Sequence, residues 1–375
     1  MSAQVESRES SGPWLFSRGI DLAAFLGSAV VALILVALGP WLGVGPDGDA
    51  PGWTWVTGVL LVDVAHVYAT LFVVYLEPAE RTRRAAYWMV PAAAWLLGVV
   101  VYSEGPEPFW RALAYVAVFH FVRQQVGWVK LYRARAGERD RLGGWLDSAA
   151  IYASAIYPLL HWHAHLPREF AWFMSGDFAG LPAWVASVAA PLYWAILAVY
   201  AIRSAPGWLA RRPRNPGKDL VVATTAACWY AGIVATNSDY AFTVTNVLIH
   251  GLPYMVLVYI VAARAPRVES GERAPAPPIG LGPRLVAAGP MFFVATLWLL
   301  AYVEELLWDR AVWHDRTWLF GAAVDASDWH IVLVPLLAVP QLTHYILDGF
   351  VWRRRANPRV AAALGLSGSP PETPH

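Results

Sequence analysis

Hydrophobic residues along this chain gather into blocks close to the length of about 20 residues that an α-helix needs to cross the hydrocarbon core of a bilayer. The blocks fall at 22–44, 53–75, 86–102, 109–131, 145–165, 182–202, 220–236, 240–261, 285–307 and 331–352. None alternates with period two for long, which argues against a β-barrel. The pattern predicts an all-α protein, a polytopic transmembrane bundle of about ten helices. Only Asn237, Ser238 and Asp239 separate the seventh and eighth blocks, so a tight helical hairpin is expected there.

The polar stretches between blocks are short, and no separate soluble domain is expected. The expected organisation has a cytoplasmic N-terminal segment at 1–21 and a transmembrane body of about eight helices over 22–261. A Pro/Gly-rich cytoplasmic linker at 262–284, a final helix pair at 285–352 and a cytoplasmic tail at 353–375 follow. The end of that tail, LGLSGSPPETPH, has the composition of a disordered segment.

Basic residues set the direction, because Lys and Arg are retained on the cytoplasmic side. With the N-terminus inside, the cytoplasmic segments hold 23 of the 28 basic residues, among them Arg81, Arg83, Arg133, Arg135, Arg211, Lys218, Arg264 and Arg353. The outer segments hold only Arg111, Arg168, Arg310 and Arg316. The expected topology is therefore N-in and C-in. Many of the tryptophans, including Trp41, Trp53, Trp110, Trp208 and Trp308, lie near block ends, as interfacial belts require.

Composition supports the same class. The chain is 57% hydrophobic and 15% charged, against about 45–50% and about 25% in soluble domains. Its net charge of +1 includes no basic face suited to nucleic acid. Cys228 is the only cysteine, which excludes an intrachain disulfide and a CxxC metal or redox motif. The N-terminus lacks the basic and short apolar regions of a cleaved signal peptide. Arginine far outnumbers lysine, as in a GC-rich bacterial genome, and the expected location is a bacterial inner membrane.

Ionisable groups within hydrocarbon are costly and usually mark function. Four histidines stand out: His66, His120, His250 and His344, in the second, fourth, eighth and tenth blocks. All four helices run from outside to inside. The histidines lie about 10 to 13 residues from the outer ends, a spread of about 4–5 Å at about 1.5 Å per residue. Four imidazoles can therefore meet at one layer, provided that these four helices adjoin.

Each histidine has polar company at helical spacing: Asp63 before His66, Gln124 after His120, Asn246 before His250, and Gln341 and Asp348 around His344. Such groups suit the outer shell of a metal site, where a carboxylate or amide fixes the tautomer of a ligating imidazole. Arg123 adds a permanent charge that could pair with Asp63 or Asp348 or hold an anionic ligand group. Asp63, Arg123 and Asp348 are the candidate catalytic residues; Gln124, Asn246 and Gln341 are candidates for supporting a cofactor. The plainer reading is that each buried histidine hydrogen-bonds across to a neighbouring helix. His161, His163 and His165, at the outer end of the fifth block, form either a solvated interfacial turn or a metal pair at positions 161 and 165. Glu304 and Glu305 lie at an outer helix end, where charge needs no special reason.

Imidazole suits iron, copper and zinc, and thiolate ligands are missing. Non-haem iron inside the bilayer would meet an apolar lipid or isoprenoid substrate and oxidise or desaturate it, with electrons from a separate donor because no nucleotide motif is present. Haem held by axial histidine pairs, or a proton-coupled transporter using the same residues, are the alternatives. In general plan, His66, His120, His250 and His344 resemble the bacterial Brp/Blh-type carotene dioxygenases, polytopic enzymes with helix-borne histidines. That resemblance implies iron and oxidative chemistry on an isoprenoid. FHFVRQQVGW and HYILDGFVWRR are similar to segments of uncharacterised bacterial membrane proteins and imply no activity.

Overall fold

The computed structural model describes residues 12–44, 51–77, 80, 84–212, 214–269, 280–352 and 357–366. Most of the expected N-terminal segment, Arg81 and Arg83, much of the expected linker and most of the tail lie outside the described residues. Among the described residues every hydrophobic block is helical and there is no strand. The helices are α1 (Arg18–Leu42), α2 (Gly52–Val73), α3 (Arg84–Ser103), α4 (Pro106–Arg135), α5 (Arg141–Ala164) and α6 (Ala183–Leu209). They continue as α7 (216–235), α8 (Asp239–Glu269), α9 (Leu281–Ala287), α10 (Pro290–Trp313), α11 (Ser327–Val351) and α12 (Pro358–Ala363). Six of them, α1, α2, α6, α8, α10 and α11, are long and apolar enough to cross a membrane, which marks a membrane protein.

Several ends depart from the hydrophobic pattern for local reasons. α8 runs to Glu269, past the apolar block, because a helix does not stop where polarity begins. The ninth block is divided at Gly289, whose φ of +116° favours glycine, and Pro290 then opens α10. α11 is interrupted at Ala338, one turn before which Pro335 already weakens the backbone ladder, and Pro340 starts its second half. The corresponding Gly251–Pro253 sequence does not break α8. There Gln124 of α4 donates to the carbonyl of His250 at 3.1 Å and ties α4 to α8 beside the proline.

α2, α4, α8 and α11 come together as one group. The four pack in a closed ring, α2 and α4 each touching both α8 and α11. α8 approaches α2 at Gly251, where a Cβ would stand 2.7 Å from Val62 Cγ1, so only glycine permits this crossing. At one end of the bundle, buried Asp147 of α5 accepts from Arg133 of α4, from Arg203 of α6 at 2.8 Å and from Lys218 of α7 at 3.0 Å. Lys218 also reaches Glu138 at 2.7 Å. A buried charge cluster is tolerable only when each member is paired in this way.

Candidate metal centre

His66, His120, His250 and His344 converge at the middle of the ring. One nitrogen from each lies within 4.8 Å of the others, and all four residues are at most 4% exposed, so protein encloses nearly the whole of each imidazole. His66 Nε2 is 3.1 Å from His250 Nε2, and His344 Nε2 is 3.2 Å from His120 Nε2. Two ring nitrogens at that distance repel when both present lone pairs, unless a proton or a cation lies between them.

Hydrogen bonds fix which nitrogen of His344 faces inward. Tyr254 donates to Asp348 Oδ1 at 2.5 Å, and Trp352 Nε1 donates to the same oxygen at 3.1 Å. With its proton committed to Asp348, the Tyr254 oxygen accepts from Thr70 Oγ1 at 3.0 Å. Thr70 in turn accepts from His344 Nδ1 at 2.7 Å. His344 therefore carries its proton on Nδ1 and turns a bare Nε2 lone pair to the centre, the tautomer that binds a metal.

The spacing fits one ion. Nitrogens at about 2.0–2.1 Å from a metal stand about 3.3 Å apart in a tetrahedron. The two short pairs are within a few tenths of that, and the wider separations, up to 4.8 Å, would contract on binding. Haem does not fit. Only two of the four imidazoles can be axial, and the other two occupy the volume that the macrocycle would need. His66 and His250 ring centroids are 4.6 Å apart, as are those of His120 and His344.

The remaining predicted residues take different places. Asp63 Oδ1 is 3.7 Å from His66 Nδ1, too long for a hydrogen bond, and both atoms are buried without partners. Asp348 is 3.8 Å from His344 Nδ1 and reaches it through Tyr254 and Thr70. Asn246 Nδ2 donates to the Phe242 carbonyl at 2.9 Å, leaving Oδ1 free. Gln341 donates to Glu304. Arg123 departs from expectation: its side chain is exposed and donates to Tyr152 at 2.6 Å, pairing with neither Asp63 nor Asp348. Three residues on, it stands about 60° round the helix from His120, and that side turns outward here.

Sequence reasoning missed Thr70, Tyr254 and Glu304. Thr70 follows His66 by four and Tyr254 follows His250 by four, so helical spacing held the signal. Glu304 is not a solvated helix end; it is 4% exposed and takes hydrogen bonds from Trp308 and Gln341. The outer histidines do not join a metal-sized group of three or more ligands among the described residues. His161 and His165 stack with centroids 4.0 Å apart, while His163 bonds Tyr115 at 3.1 Å and stacks on Phe178.

A cavity of about 400 Å³ lies beside the centre. His66, Asp63, Asn246 and Gln341 line it, together with aromatic walls that include Trp110, Phe121, Trp172 and Trp308. Its volume is in the range of small-molecule sites. No protein family matches the chain, and no curated protein or solved structure matches it significantly.

Proposed function

We propose that this membrane protein is a metal-dependent oxidoreductase that acts on an apolar lipid or isoprenoid bound against its four-histidine centre. The convergence of four buried imidazoles at the edge of an aromatic-walled cavity carries this reading. Closed structural zinc sites are mostly built with thiolates, and this one has none. A redox-active ion such as iron, held by His66, His120, His250 and His344, would supply electron-transfer and oxygen chemistry there.

The chain's own residues do the rest. Asp63 and Asp348 each lie about one imidazole from the centre, and when ionised they balance a divalent charge in a low-dielectric interior. Thr70 and Tyr254 hold His344 in its ligating tautomer. Trp110, Phe121, Trp172 and Trp308 bind the substrate's apolar body and exclude water. Electrons come from a separate donor. Ten crossings with both termini in the cytoplasm, and a bacterial inner membrane, complete the proposal and follow from the placement of basic residues.

Metal content by mass spectrometry on purified protein tests the centre. The expected result is about one iron or copper per chain, absent from the His66→Ala/His344→Ala variant. Comparison of lipid extracts from cells carrying either form tests the reaction: oxygenated or desaturated species should depend on the four histidines. A metal-bearing protein that changes no lipid would leave cation or proton transport as the better reading, supported by polar groups on both sides of the centre.

A further inference from the structure

Three residues that line the cavity carry oxygen atoms without hydrogen-bond partners. Asn246 Nδ2 is committed to a backbone carbonyl, which leaves Oδ1 as the unpaired end of the amide; Asn246 lines the cavity and is 2% exposed. Gln341 commits its nitrogen to Glu304 and leaves Oε1 unpaired. Asp63 Oδ1 is unpaired, and Glu305 adds a second carboxylate to the lining. Every one of these oxygens is an acceptor, the kind of group that binds a divalent cation.

The cavity also has a direction. Asp315, with its side chain 64% exposed, lies at the mouth, and His66 lies at the floor. The cation at the mouth, Arg316, is turned onto the wall: its guanidinium stacks 3.9 Å above the Trp55 ring and lies 3.8 Å from Asp315. An ion bound for the histidines must shed water in a medium where unpaired charge is very costly, and oxygen atoms spaced along the way replace that water.

We infer that this cavity is the loading route of the metal centre, and that Asp63, Asn246, Gln341 and Glu305 form an oxygen-donor station that takes a divalent cation before the imidazoles do. The inference rests on the four histidines being a metal centre. Oxygen ligands hold hard and borderline divalent ions loosely, and imidazole then captures the transition metal by its greater affinity. No bond is made or broken other than exchange of water and ligands.

Cobalt(II) is a suitable probe, because its visible bands report nitrogen ligation. Metal-free full-length protein in neutral-lipid nanodiscs is mixed with Co²⁺, and the absorbance is followed in time. The Asn246→Leu/Glu305→Gln variant, which leaves the imidazoles untouched, should load about tenfold more slowly or worse. Its final spectrum and cobalt content should equal those of the wild type. Millimolar Ca²⁺, which binds oxygen and not imidazole, should slow loading of the wild type without lowering its end point. This second arm stands if the variant does not fold. Equal rates in both proteins together with indifference to Ca²⁺ would overturn the loading route. So would a lowered cobalt content in the folded variant, since those residues would then belong to the centre itself. A wild type that never develops cobalt bands overturns the metal centre as well.

Discussion

Val62 on α2 occupies the space that a side chain on Gly251 of α8 would need. The two helices bear His66 and His250 within a turn of this contact, so the glycine sets how closely those imidazoles approach. Gly251→Ala should cost about 1–3 kcal/mol of stability through overpacking. It should also separate the His66 and His250 nitrogens and weaken metal binding. Unfolding in detergent and metal titration of the same preparation check both effects. Val62→Ala should restore part of the loss, and not all of it, because the Val62 carbonyl oxygen also stands 3.1 Å from the added carbon.

Thr70 has one oxygen between His344 and Tyr254, and the relay depends on its hydroxyl. Thr70→Val should lower metal affinity about 10–100-fold, the usual effect of losing an outer hydrogen bond to a ligating histidine. Thr70→Ser should retain most of it. Chelator competition on the two variants distinguishes a positioning role from a packing one, since valine matches threonine in shape.

Removal of the metal should destabilise the fold, because the ion ties four helices together and binds only the native arrangement. A ligand present at about 1,000 times its dissociation constant contributes about 4 kcal/mol. A chelator should therefore lower the melting temperature of the wild type by several degrees and leave His120→Ala/His344→Ala unmoved. An equal response from both proteins would show that the chelator acts elsewhere.

The ion cluster around Asp147 is separate from the centre and should behave separately. Asp147→Ala leaves Arg133 and Lys218 to share Glu138 alone and takes the buried carboxylate from Arg203, and should cost about 3–5 kcal/mol. Protein that still folds should bind metal with unchanged stoichiometry, which a binding assay at low temperature can show.

The sequence alone established that the chain is a bundle of apolar helices and that four histidines belong to a common depth. Both follow from constraints local to each segment: the thickness of hydrocarbon sets block length, and a fixed rise per residue converts position into depth. Depth, however, leaves rotation and neighbourhood open. Lipid is as apolar as the bundle interior, so hydrophobicity does not tell which face of such a helix turns inward. The tertiary structure decided that α2, α4, α8 and α11 form one ring and that Gly251 lets two of them close. It also decided that Arg123 turns outward to Tyr152, while Thr70 and Tyr254 turn inward to His344 and Glu304 is buried against Gln341. Those contacts join residues far apart in the chain, where only the packing of one helix against another determines which groups meet.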